Sequence, residues 1–424
     1  MIKLQTNDNF VRIFEDKRLT LSTIVLSLFL FFATPNTIYW DSFLYLGSAE
    51  SLFSPTFSSQ YHWLREPGYP LFIRAVSSLF GLNAVFFVQF CLNWLSVILL
   101  SSCISKFSNN YRSGVSKYYA SNLAIIFGSG YAASILQQTF FVFTFSAACF
   151  ITFNVRRFRS QFAYSVVLSF MAAIVSTILL ACLLSLYFGM IIIALLKREN
   201  ISLHLLRISI VSLIMGFVVT SSWYGFKANN DKSLRIYQDA WHFWEFEQTW
   251  ANPTSNVVKN NLYRFAEMPS VLFALGQFGI ETTYPTKGFV SGESQVFVAH
   301  KFTPDEYCGK KFHGPDGYIT ALGLSINLDC KQGLLVKINN VIRFFLTPLI
   351  PLIGLTCFFL IIIAIARQRF TAIQLSLCLS PYLSLIPYLL ASTGASRYGA
   401  PVLVAAPFII RYLMFQFNEG KSNA

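Results

Sequence analysis

Five charged side chains, Asp41, Glu50, Arg65, Glu66 and Arg74, fall between Trp40 and Gly81 in a stretch that is otherwise mostly apolar and aromatic. A charge beside a membrane segment is costly unless water, a partner or a substrate compensates it, so such residues are functional candidates by default. Asp41 opens a plausible helix, with Tyr45 and Ser48 on its face at i+4 and i+7. A carboxylate at the boundary between membrane and water can take the proton from an attacking hydroxyl within hydrogen-bonding reach. A helix dipole also favours an acid in its first turn, and the sequence leaves both roles open. Arg65-Glu66-Pro67-Gly68-Tyr69-Pro70 is the most distinctive string in the chain. Its two prolines bracket Gly-Tyr, which predicts a sharp turn and then a short helix from Pro70 through Phe80. That helix is amphipathic and too short to span a bilayer, so it is expected in the interface. The planar fork of Arg65 suits a phosphate, although an arginine there can also snorkel to a headgroup.

Chemistry-bearing residues outside this stretch are few. Gln137-Gln138 follow an apolar run and either hydrogen-bond a polar substrate or solvate a short loop. Arg397-Tyr398 precede the last apolar run, and Arg343 stands at the edge of an earlier one. Each arginine can bind a lipid phosphate specifically or snorkel without specificity. His62, His242, His300 and His313 are scattered and receive no role. Cys91, Cys103, Cys149, Cys182, Cys357 and Cys378 lie in apolar runs, as packing groups. Cys308 and Cys330 share one long polar region and are expected to form a disulfide if that region is extracytoplasmic. The sequence contains no Walker A string, G-x-G-x-x-G, H-E-x-x-H, C-x-x-C or D-x-D. That argues against a nucleotide-driven enzyme or pump and offers no ready metal centre.

The elements that must position these groups are membrane helices. Of 424 residues, 54% are hydrophobic and 12% charged, whereas a soluble domain carries about a quarter charged residues. The net charge of +13 sits in short clusters between apolar runs, such as Arg156-Arg157-Phe158-Arg159 and Lys197-Arg198. This is the positive-inside pattern of a polytopic membrane protein rather than a nucleic-acid-binding stripe. At roughly 20 residues per crossing, the expected spans are Leu19–Ala33, Asn83–Ile104, Tyr118–Leu136, Thr139–Val155, two within Phe162–Leu196 with a turn near Ala181, Leu205–Ser222, Phe344–Ala366, Ile373–Leu390 and Ala400–Phe415. The expected fold is therefore all-α, with about ten crossings and both termini inside. Reading 162–196 as one helix would reverse everything after it. The organisation is a cytoplasmic N-terminus (1–18), a bundle (19–222) with a first outer loop (34–82), an extracytoplasmic region of mixed structure (223–340) and C-terminal helices with a short tail (341–424).

The acid after the first helix, the R-E-P-G-Y-P-L-F string and Arg397-Tyr398-Gly399-Ala400-Pro401 together resemble the GT-C superfamily of membrane glycosyltransferases. The likeness is greatest to bacterial members related to the protein mannosyltransferases and the lipid A aminoarabinose transferase. It rests on about residues 36–82 and 391–407. The resemblance implies transfer of a hexose or pentose from an undecaprenyl-phosphate-linked donor to a saccharide or lipid-linked acceptor, at the periplasmic face of the bacterial inner membrane. It implies Asp41 as the catalytic base and Arg65 and Arg397 at the donor phosphate; catalysis then rests on that one carboxylate or on Glu66 as helper, and Tyr398 and Arg343 join the donor-phosphate candidates by their position. Tyr45, Tyr69 and Gln138 would contact or shape the acceptor side. Two departures stand out. Relatives often carry Thr-Glu where this chain has Gln137-Gln138, which weakens a metal or a second acid there, so a divalent cation stays open. Relatives also often carry an Arg-Pro in a middle helix, which 162–196 lacks.

The large polar region, with Trp223, Trp241, Trp244 and Trp250, suits recognition of a polymeric saccharide such as O-antigen, or serves as a lid. The competing readings are an O-antigen polymerase or ligase, a polysaccharide or lipid transporter, and a noncatalytic assembly protein. A transporter should place ionisable groups near mid-membrane, and here nearly all lie at expected outer edges.

Overall fold

The computed structural model describes residues 16–34, 40–53, 66–105, 116–133, 135, 137–155, 158–198, 203–230, 334–335, 338–339, 341–342, 349–366, 370–384, 386–387 and 400–422. The regular elements among them are helical. In chain order they are α1 (Lys17–Ala33), α2 (Trp40–Ser51), α3 (Gly68–Phe80), α4 (Leu82–Ser105), α5 (Ser116–Ala132), α6 (Gln138–Asn154), α7 (Phe158–Val175), α8 (Thr177–Leu196), α9 (Leu203–Asn230), α10 (Leu349–Ala366), α11 (Ala372–Leu383) and α12 (Ala400–Ser422). Among the described residues, four helical stretches are long and apolar enough to cross a membrane: Leu82–Ser105, Thr177–Leu196, Leu206–Trp223 and Ala400–Phe417. α1, α5 and α6 have 17 residues each, about 26 Å of helix.

Side-chain hydrogen bonds fix the two ends of the bundle. At one end Lys117 Nζ donates to Asp16 at 3.2 Å, and Tyr118 donates to the same carboxylate at 3.3 Å. Asp16 also caps α1 by accepting from the Leu19 amide. Burial alone would raise the Asp16 carboxyl, but the Leu19 amide and Lys117 outweigh it and hold it below the usual range. At the opposite end the start of α4 meets the end of α5, where Gln89 Nε2 donates to the Ala132 carbonyl at 3.0 Å.

α6 is the central helix. Fourteen of its residues are buried, all around its circumference, as expected of a helix enclosed by others. α12 packs against α4, α5 and α6 as well as α10 and α11, so the last helix closes the N-terminal half of the bundle. Hydrocarbon around a membrane helix gives no hydrophobic drive for helices to associate, so small residues and polar pairs carry much of the contact. Ser169 and Ser212 bond across α7 and α9 at 2.7 Å, and Leu383 and Leu180 pack closely on Gly189 and Gly216.

The apolar run 162–196 breaks in two, but at Ser176 rather than near Ala181. Ser176 is extended, with φ −168° and ψ 133°. Ser165 and Tyr187, equally far from it on either side, lie together, so α7 and α8 fold back as a hairpin. α9 continues to Asn230, although its membrane-length apolar stretch, Leu206–Trp223, lies within one residue of the expected span. α3 begins at Gly68, before the expected Pro70.

Gly128 shows how tightly α4 and α5 meet. A Cβ there would collide with the Asn93 amide, whose Nδ2 donates to the Ile125 carbonyl at 3.2 Å. Gly128→Ala gains up to about 1 kcal/mol of helix propensity. Turning Asn93 away leaves buried polar groups unpaired, at about 1–3 kcal/mol. The expected net result is a lower melting temperature in detergent, partly restored in the Gly128→Ala/Asn93→Ala double variant. A double variant no more stable than Gly128→Ala alone would refute the clash.

Candidate functional site

The candidate site is assembled at the end of the bundle where α1, α5, α7 and α11 finish and α4, α6, α8 and α12 begin. α2 is held there by its first turn. Ser42 Oγ donates to the Ile135 carbonyl at 2.8 Å, which seats the turn carrying Asp41 beside the connection from α5 to α6. Gln137 and Gln138 follow two and three residues after Ile135.

Tyr45 and Tyr69 meet edge to face, with centroids 4.8 Å apart and planes at 89°. Both are buried. The Tyr69 hydroxyl donates to Gln89 Oε1 at 2.8 Å, and Gln89 in turn donates to Ala132. One relay of side chains thus ties α2, the Gly-Tyr of the distinctive string, α4 and α5 together. An aromatic pair of this geometry contributes about 0.5–1.5 kcal/mol beyond its burial. Arg74 and Glu50 pair at 3.0 Å, each side chain about a third exposed. A bridge that exposed adds little stability, and its use is to set α3 against α2.

The string itself is pinned at two points. Glu66 Oε1 accepts from the Thr177 amide at 3.1 Å and from its hydroxyl at 3.0 Å. Gly68 lies against the Ile174 backbone, where an added Cβ would stand 2.6 Å from the carbonyl oxygen. Glu66 therefore faces the first turn of α8, where a carboxylate also meets the positive end of the helix dipole.

Gln137 and Gln138 are buried rather than solvating a loop. The Gln138 Oε1 and Thr139 Oγ1 atoms have no hydrogen-bond partner among the described residues. Buried acceptors left unpaired cost about 1–3 kcal/mol. A few residues further along α6, Phe141 and Phe145 line a narrow cleft with Leu179 and Cys182 of α8, Ser384 after α11 and Pro401 of α12. The free space between these side chains is only about 10 Å³, room for about one water molecule, so the cleft is nearly filled as it stands. Among the described residues no group of three or more His, Cys, Asp or Glu side chains could hold a metal ion.

No family model matches the sequence, and no curated protein matches it. Among solved structures the chain is similar to the crystal structure of ArnT from Cupriavidus metallidurans bound to undecaprenyl phosphate. The identity is 12%, the TM-score 0.44, and the match covers 94% of this chain and 77% of that one.

Of the residues expected to act, Tyr45, Tyr69, Glu66 and Gln138 converge on this end, together with the first turn of α2 that contains Asp41. Arg65, Arg343, Arg397 and Tyr398 lie outside the described residues, as do Cys308 and Cys330. Four residues of the arrangement escape the sequence reading. Gln89 is a polar side chain inside an apolar run, a signal in itself. Ser42 sits beside Asp41, and Thr177 follows a serine at a helix start. Asn339 is buried and donates to Ala33 O at 3.2 Å and Thr34 Oγ1 at 3.4 Å. It docks the chain just ahead of Arg343 onto the end of α1, and no local pattern announces it.

Proposed function

We propose that this chain is a lipid-linked-sugar glycosyltransferase of the GT-C type in the bacterial inner membrane, with its site at the periplasmic face. It moves a hexose or pentose from undecaprenyl phosphate to a saccharide or lipid-linked acceptor of the envelope, such as O-antigen. The observation that carries the reading is the gathering of the backbone turn that contains Asp41, the Glu66–Pro70 part of the string and a narrow apolar cleft at one end of the bundle. The motif resemblance supports it.

In this reading the isoprenoid chain parts the side chains that nearly fill the cleft between α6, α8, α11 and α12. We assign the phosphate to Arg65, Arg397 and Tyr398 on the motif resemblance; Arg397 and Tyr398 are close in sequence to Pro401 of the cleft wall. Arg343, four residues after the docked Asn339, adds a further cation. Asp41 takes the proton from the acceptor hydroxyl. The freed oxygen attacks the anomeric carbon, the bond from that carbon to the phosphate oxygen breaks with inversion, and the lipid phosphate leaves with the electron pair. The arginines stabilise the charge that develops on it.

Mass spectrometry of surface glycans from cells with and without this chain tests the proposal. The expected result is a glycan heavier by one sugar residue only where the chain is present, with depletion of the matching undecaprenyl-linked sugar. Identical glycans and identical lipid pools would overturn it. A ladder of whole repeat units would favour the polymerase, and an unchanged mass on a different side of the membrane the transporter.

A further inference from the structure

Ser176 holds the N-cap position of α8 but makes no side-chain capping bond. The missing cap comes from Glu66, which lies far away in sequence and accepts from both the amide and the hydroxyl of Thr177. Two residues after Glu66, Gly68 touches the Ile174 backbone at the end of α7. The string is thus fastened to both arms of the α7–α8 hairpin at its turn. The next turns of α8 carry Leu179 and Cys182 into the cleft. One carboxylate therefore joins the start of α3 to a wall of the proposed chain-holding cleft.

We propose that Glu66 is a positioning residue: a latch that keeps the start of α3 and the α8 wall in register, so that a single polyprenyl phosphate meets both at fixed spacing. This rests on the lipid-linked-donor reading. Two weak contacts held at fixed spacing bind one ligand far better than either alone, and lose that gain when the spacing is released. The carboxylate does not act on the sugar, so an uncharged acceptor of the same shape can replace it. Gln still accepts from Thr177, whereas Ala cannot.

The test uses the full chain purified in detergent, with undecaprenyl phosphate as probe. Binding is read by native mass spectrometry, and the alkylation of Cys182 by peptide mapping, with the exposed Cys91 as internal reference. Glu66→Ala is expected to weaken binding about tenfold or more, the scale of a lost charge-assisted bond. It should also speed Cys182 alkylation severalfold, leaving the Cys91 rate and the melting temperature near those of the parent. Thr177→Val removes one of the two donors and should give a smaller loss in the same direction. Glu66→Gln should stay within about threefold of the parent in binding. Parental behaviour of Glu66→Ala in both readouts overturns the latch. So does a Glu66→Gln variant as impaired as Glu66→Ala, because the charge would then act on the ligand directly. If the parent itself does not bind undecaprenyl phosphate, the donor reading fails separately. Cys182 then decides alone: faster alkylation in Glu66→Ala than in Glu66→Gln keeps the latch, and equal rates remove it. Should Glu66→Ala fail to fold, Thr177→Val carries the same comparison.

Discussion

Asp41→Asn is expected to lower sugar transfer by about 10²–10⁴-fold, the range that a positioned general base supplies, with the protein still in the membrane at its normal level. Asn keeps the size of the side chain and one acceptor oxygen but cannot take a proton at neutral pH. The fold should tolerate the change, because α2 is held by its neighbours: Ser42 on the Ile135 carbonyl, Tyr45 against Tyr69, and Glu50 on Arg74. Magnitude separates the two roles that the sequence leaves open. An acid that only favours the helix dipole contributes about 0.3–1 kcal/mol, which would cost a few-fold in activity at most. A noncatalytic assembly protein would lose nothing. The measurement is the initial rate of transfer in membranes supplied with undecaprenyl-phosphate-linked sugar, normalised to the amount of chain by immunoblot. Transfer within tenfold of the parent would remove Asp41 from the mechanism.

What was legible in the sequence was local. α1, α4 and α6 follow from apolar runs ended by polar or basic residues, and each lies within two residues of its expected bounds. α2 starts at Trp40 and α3 near Pro70 because the acid and the Pro-Gly-Tyr-Pro pattern mark helix starts by their own backbone preferences. The α7–α8 turn was misplaced because hydropathy is nearly uniform across 162–196, and its real marker is the Ser176-Thr177 pair. Even that pair is half a signal, since the group that caps Thr177 comes from Glu66, 111 residues away. The apolar stretch of α9, Leu206–Trp223, falls where the hydropathy puts it, and the helix runs on to Asn230 because Trp223, Tyr224 and Phe226 are no obstacle to a helix. In the site, the Tyr45–Tyr69 pair joins two residues singled out separately. Nothing local indicates that Gln89 would receive the Tyr69 hydroxyl, or that Asn339 would return to Thr34. Side chains that bond across the fold are fixed by packing, and a single sequence does not encode their partners in any periodicity.

Gly68→Ala is expected to be the most damaging small substitution at the site. The new Cβ would lie 2.6 Å from the carbonyl oxygen of Ile174 and 2.7 Å from its carbon. Those are backbone atoms, so no rotamer change relieves the contact and α3 must move away from α7. Overpacking of this kind costs about 1–3 kcal/mol. The movement also draws Glu66 from Thr177 and Tyr69 from Gln89, and a buried hydrogen bond left half-made costs about 1–3 kcal/mol. Loss of activity should exceed loss of stability, because a displacement of about 1 Å at a reacting site can cost 10²-fold in rate. The melting temperature in detergent and the transfer rate in membranes are the two readouts. Gly225→Ala on α9, where an added Cβ meets nothing within 4 Å, is the control and should leave both unchanged. Shrinking the neighbour should not help: Gly68→Ala/Ile174→Ala is expected to stay impaired, in contrast to the rescue of Gly128→Ala by Asn93→Ala, where the obstacle is a side chain. A Gly68→Ala protein with parental stability and rate would mean that the string does not need its seat on the α7–α8 turn, and the site would have to be organised from α2 and the cleft alone.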